Sequence, residues 1–164
     1  MSALTDDLKT LLADSVTMYF VAHGYHWNVE GQDFSQYHAL FAEIYEDVYS
    51  AIDPLAEDLR KLNEYAPFTL SKFIDLRTVE SKEVDPTPKA MAKALLKVNE
   101  GLLKSISKAF DSATEANEQG IAKLVFNKGT SYVVPSGRKI ESHVHYRELS
   151  GEYGMIGPVQ SVFV

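Results

Sequence analysis

The chain has 164 residues, 45% apolar and 24% charged, with a formal net charge of −7 and no cysteine. That fits one ordinary globular domain able to bury a core. It excludes disulfides, thiolate zinc sites, iron–sulfur clusters and a cysteine nucleophile. No apolar run approaches the roughly 18 residues of a membrane span, and the first seven residues lack the basic start and apolar block of a signal peptide. The expected location is therefore cytoplasmic. Nucleic acid is an unfavoured partner, because displacing counterions from phosphates takes a basic patch. Lys89, Lys93, Lys97, Lys104 and Lys108 read as a solvated helix face. An acidic chain attracts cations, and any metal must be held by His, Asp and Glu, ligands that suit iron, manganese or zinc.

Residues 4 to about 26 read as a first helix: Leu4, Leu8, Leu11, Leu12, Ser15, Tyr19 and Ala22 recur at three- and four-residue steps. Ser2 or Thr5 is the expected cap, and Asp6 and Asp7 suit the positive end of the helix dipole. A second helix is predicted from near Asp33, which forms a capping-box pattern with Gln36. Its stripe is Phe34, Tyr37, Phe41, Ile44, Val48, Ile52, Leu55, Leu59 and Leu62, and Pro54 is expected to kink it. Residues 64–87 form a connection with a short helix near Thr69–Ile74. A third helix follows Thr87 as cap and Pro88 at its first position, with Met91, Leu95, Val98, Leu102, Ile106, Ala109 and Ala113 buried. So long a connection lets the third helix run parallel to the second, an arrangement completed by a fourth helix. That element starts near Ala116 and falters after Phe126. Beyond it, Tyr132–Val134, a Pro-Ser-Gly-Arg turn and Lys139–Glu148 read as a β-hairpin. The expected division is a helical domain at 1–123 and a divergent segment at 124–164 that is not an independent domain.

His26, His38, Asp53 and Glu57 are the candidate metal ligands. At about 1.5 Å of rise per residue, His38 and Asp53 lie roughly 22 Å apart along one helix. A straight helix cannot bring both to one metal. If they share one, a second copy of the chain must carry its Asp53 and Glu57 to the first copy's His38.

The run His26-Trp27-Asn28-Val29-Glu30-Gly31, followed by Phe34, His38, Phe41, Tyr45, Asp53, Ala56 and Glu57, resembles the Dps-type mini-ferritins over about residues 4–123. The resemblance implies an all-α, ferritin-like four-helix bundle, assembled as a twelve-subunit hollow shell. It implies oxidation of iron(II), usually by hydrogen peroxide, and storage of the ferric mineral. Iron is then the metal, and peroxide or oxygen the oxidant. It places the iron centre across a two-fold interface, with the residues matching His26 and His38 from one subunit and those matching Asp53 and Glu57 from the other. It also places Trp27 beside the iron, where an aromatic ring can intercept oxidising equivalents. The family commonly has an acidic residue four positions after the second histidine; here that position is Ala42, with Glu46 one turn on as the candidate substitute. The lysine-rich tail of DNA-coating members is missing, so DNA binding is expected to be weak.

His23 is not expected to be a ligand. His143 and His145 have a spacing that can bind metal on one strand face, although an ordinary exposed face is the simpler reading. The reading of the whole is an iron-oxidising and iron-storing homo-oligomer, a ferroxidase. The alternative is a non-catalytic bundle that keeps the family surface for self-association.

Overall fold

A computed structural model describes residues 2–126, 140–149 and 152–162 of the protein. Helix α1 spans Ala3–Asn28. Ser2 caps it, its side chain accepting from the Thr5 amide at 3.3 Å. Thr5, the other candidate, turns its hydroxyl back to the Ser2 carbonyl. The predicted stripe is buried except for Tyr19, which is half-buried, and Asp7, Asp14 and Thr17 are buried as well. This helix is therefore enclosed on more faces than its apolar stripe alone predicts.

Helix α2 spans Phe34–Lys61 and runs through Pro54 as one element. Its start differs from the capping-box expectation. Asp33 sits in the left-handed region at φ 64°, and its side chain makes no capping hydrogen bond. Its backbone carbonyl takes the Gln36 and Tyr37 amides instead. A capping side chain needs extended backbone at the cap, and the tight turn from Gly31 (φ 101°) does not provide it. Within the stripe, Phe34 is exposed and Ile52 and Leu62 are only partly buried.

Helix α3, Leu70–Leu76, is capped by Thr69. Helix α4, Pro88–Glu115, begins after the Thr87 cap with Pro88 in its first turn, and all seven predicted core positions are buried. Helix α5, Gln119–Phe126, is two turns long. Both α2 and α4 end in the same backbone device. Asn63 and Asn117 adopt left-handed φ of 61°. The amides of Glu64 and Glu118 then reach back to the Leu59 and Ala113 carbonyls, and those of Asn63 and Asn117 to Arg60 and Thr114. This is the Schellman closure, with asparagine in the position glycine usually takes.

The packing order follows from named pairs. Lys9 meets Glu64, joining the start of α1 to the end of α2. Asp14 bonds Ser105 and Asp7 bonds Ser112, so α4 runs antiparallel to α1 and hence parallel to α2. The Glu30 amide donates to Pro86, closing the opposite end. Helix α5 lies against α4 and α2, completing the ring α1–α2–α5–α4. The fold is the expected all-α four-helix bundle, its fourth helix short. Its core centres on Leu8, Leu11, Leu12, Met18, Phe41, Leu55 and Leu59, each at most 1% exposed. Full burial of each such side chain contributes about 1.5–3 kcal/mol.

The crossover is held by one carboxylate. Asp14, with no exposed surface, accepts from the Thr78 amide at 2.6 Å, the Val79 amide at 3.1 Å, the Thr78 hydroxyl at 2.7 Å and the Ser105 hydroxyl. Val79 then drops onto Gly101, where a Cβ would overlap its methyl group.

Strand β1, Ile140–Leu149, pairs antiparallel with β2, Glu152–Val162, and lies against α4. The strand expected at Lys139–Glu148 is thus present, but its partner is the segment after it. The proposed first strand, Tyr132–Val134, lies outside the described residues. The ladder shifts register between His143 and His145.

Candidate metal centre

His26 is in the last turn of α1 and His38 in the second turn of α2, joined by the short turn at Gly31. The fold stacks their rings, with centroids 3.7 Å apart and planes at 21°. Each ring is held by the other's backbone. His26 Nδ1 lies 2.8 Å from the His38 carbonyl, and His38 Nδ1 lies 2.7 Å from the His26 carbonyl. A carbonyl only accepts, so both Nδ1 atoms carry hydrogen and donate. When the rings are neutral, both Nε2 atoms are left with the lone pair a metal needs. Such a second-nitrogen hydrogen bond to a carbonyl is the usual way a ligating histidine is oriented. Both side chains are half-buried.

The two carboxylates are elsewhere. Asp53 and Glu57 are exposed, several turns further along α2. Among the described residues, no three His, Asp or Glu side chains gather around one metal position. One protomer thus brings the histidine pair together and leaves the carboxylate pair facing outward. Ala42 is half-buried and Glu46 exposed on the same helix.

An aromatic cluster surrounds the histidines. Phe34 stacks on His38 at 5.0 Å, and Tyr45 meets His26 edge-on at 5.3 Å. His23 stacks on Tyr45 at 3.9 Å, and its Nδ1 is 3.1 Å from the Tyr19 hydroxyl. Trp27 rests against His23 at 4.4 Å and is 62% exposed. Sequence reasoning gave Tyr19 as a position in the first helix's stripe and Tyr45 as part of the family run, and assigned neither a place beside the histidines. Their signal was the i, i+4 spacing of Tyr19 with His23 and of Tyr45 with Tyr49, which puts each pair on one helix face. The lysines at 89, 93, 97, 104 and 108 are exposed, and Lys108 pairs with Asp7 at 2.8 Å. Among the described residues no helix is long and apolar enough to cross a membrane.

Comparison with known proteins agrees with the fold. The ferritin-like domain model of the family matches residues 5–127. The DNA protection during starvation protein of Helicobacter pylori is 39% identical over 75 residues, covering 46% of this chain and 52% of that protein. The chain thus spans about half the length of that curated relative. The X-ray structure of Dps from Thermosynechococcus elongatus superposes with a TM-score of 0.73 at 28% identity, over 76% of this chain and 80% of that one. The Dps protein of Vibrio cholerae, described as a member of a broad superfamily of ferritin-like diiron-carboxylate proteins, superposes with a TM-score of 0.72 at 27% identity, over 76% and 78%. The chain belongs to the ferritin-like family and is a mini-ferritin of the Dps type.

Proposed function

We propose that this mini-ferritin binds iron(II) at a site shared between two copies of the chain, oxidises it with hydrogen peroxide and retains the ferric product. His26 and His38 of one copy supply neutral nitrogen ligands, and Asp53 and Glu57 of the other supply hard, anionic oxygen ligands that favour the ferric ion. The observation that carries the reading is the reciprocal pair of Nδ1–carbonyl hydrogen bonds, which holds both Nε2 atoms ready before any metal arrives. Family membership supports the metal and the self-assembly into a shell. The outward-facing carboxylates support the sharing, since a site built within one copy would need them next to the histidines.

The pairing places α2 against its own copy in antiparallel fashion, with the axis near residues 46–48. Val48, expected at that axis, is turned into its own bundle and 7% exposed. Glu46, Asp47 and Tyr49 are the exposed residues of this stretch. Mixing His38→Ala with Glu57→Ala tests the reading. Each mixed dimer holds one site with both lesions and one with neither, so activity returns on subunit exchange. Confirmed exchange without recovery rejects the shared site.

A second reading is a self-associating bundle without catalysis. Ala42 favours it, because it removes one carboxylate of the family pattern. Iron(II) oxidation by peroxide, followed by absorbance, separates the two.

A further inference from the structure

The crossover from α3 to α4 is fastened to the bundle at two points. Asp14 takes the Thr78 and Val79 amides, and Val79 packs onto Gly101. Further on, the Tyr25 hydroxyl donates to the Lys82 carbonyl at 3.4 Å. Along this stretch the crossover and α4 form the walls of a cleft of about 450 Å³. That is the size of a small-molecule site, far beyond the voids that close packing leaves.

The lining divides by chemistry. Tyr25, Val79 and Val98, all buried, and the half-buried Val84 and Ala94 give it apolar surface. The exposed Lys82, Lys97 and Lys104 line the rest, together with Glu80 and Glu100. Lys82 hydrogen-bonds Glu80 at 2.5 Å and, with Lys97 and Arg77 adding their charge, holds that carboxyl below its ordinary range. The three lysines outnumber the two carboxylates by one, and Arg77 raises the positive excess to two. Lys97 and Lys104 stand two turns apart on one face of α4 and hold no hydrogen-bonded ion pair among the described residues. The chain as a whole carries −7, yet every fully exposed residue of α4 from Pro88 to Phe110 is a lysine. Such a one-sign face draws anions toward the cleft.

We propose that this cleft binds a small organic phosphate of mononucleotide size, its phosphate on Lys97 and Lys104 and its ring against Tyr25 and Val98. The two negative charges of a phosphate monoester match the local excess of two positive ones. Lysine binds phosphate as a point charge with rotatable donors. The apolar lining accounts for the ring: inorganic phosphate would leave it unused, and so would a nucleic-acid duplex lying along the lysines. The cleft shares no residue with the proposed iron site, so the proposal stands apart from the iron reading.

Equilibrium dialysis of labelled adenosine monophosphate against the assembled, iron-free full chain at physiological salt tests it. Unlabelled adenosine, inorganic phosphate and duplex DNA serve as competitors. The nucleotide is expected to bind once per chain, and each small competitor at least about tenfold more weakly, since each lacks one half of the contacts. Lys97→Gln and Lys104→Gln should each weaken the nucleotide about tenfold, the worth of a charge-assisted hydrogen bond. Ala94→Leu, which fills the apolar part, should weaken it too, and Lys89→Gln, on the same helix outside the cleft, should not. Absent binding overturns the proposal. So does adenosine or inorganic phosphate competing as well as the nucleotide itself, since the phosphate or the ring would then be idle. Equal losses in Lys89→Gln and Lys97→Gln, or displacement by duplex DNA at a lower phosphate concentration, would assign the lysines to diffuse polyanion attraction and overturn it as well.

Discussion

Asp14 shows how much of this fold hangs on single side chains. Four donors from the crossover and α4 converge on its two oxygens within the core. Removing them takes the acceptor from the buried Val79 amide and Ser105 hydroxyl and from both Thr78 donors. Asp14→Ala should therefore lower the unfolding free energy by about 3 kcal/mol. Urea denaturation checks this, and an unchanged midpoint would contradict the clamp. The histidine pair makes the complementary prediction for chemistry. His38→Ala removes one proposed ligand and also the ring whose Nδ1 bonds the His26 carbonyl. Stopped-flow iron(II) oxidation should slow at least about tenfold, a barrier change of about 1.4 kcal/mol, while dimers persist on sizing. Unchanged kinetics in an assembled variant would remove His38 from the site.

At the scale of elements, the ends of α2 and α4 carry the testable features. Asn63 and Asn117 hold left-handed backbone that asparagine tolerates and β-branched residues do not. Asn63→Val should cost about 1–2 kcal/mol, whereas Asn63→Gly should be close to neutral; equal losses in thermal unfolding would refute the closure. The last turn of α2 also contains a pH-sensitive pair. The buried Asp58 carboxylate hydrogen-bonds Lys61 and attracts its charge, holding the Lys61 ammonium above its ordinary value of 10.5. Lys61 donates to Asp58 Oδ1, and among the described residues the other oxygen, Oδ2, has no hydrogen-bond partner. Lys108 is raised in the same way by its hydrogen bond to Asp7. A raised folded value means that both pairs stabilise fully below pH 10.5 and lose that contribution as pH rises through the folded value. Thermal midpoints of the wild type should therefore fall above that pH more steeply than those of Lys61→Gln. Parallel curves would show that the pair contributes nothing.

At the scale of the whole molecule, the exposed apolar surface is the main unsatisfied feature. Tyr65, Phe68, Leu70 and Ile74 around α3 are 80%, 87%, 68% and 59% exposed. Large apolar side chains left this exposed within ten residues of chain point to an interaction surface. Phe68→Asp should shift the assembly toward smaller species in light scattering, and an unchanged size distribution would place the contact elsewhere. DNA should not bind stably at physiological salt without bridging cations, since the net charge is −7. A retarded band under those conditions would show a basic surface created by assembly.

Apolar periodicity by itself determined the three long helices, because a stripe at helical spacing has only one way to be buried. It also determined the parallel course of the second and third, because a connection as long as 64–87 can return the chain to its starting end. The ligand candidates were legible through spacing: His38 and Asp53 are too far apart for one helix and so pointed to a second copy. Tertiary structure decided what spacing cannot express. It set the ring orientation of His26 and His38, which depends on two carbonyls twelve residues apart in the chain. It revealed Asp14 as an anchor, since its partners lie 64 to 91 residues away. It moved the start of α2 from a side-chain cap to a left-handed turn, because the approach from Gly31 sets the backbone there before Asp33 can fold back. It also brought Tyr45 of α2 onto His23 of α1, a contact across two helices that packing sets, whereas the Tyr19–His23 bond follows from i, i+4 spacing on one helix.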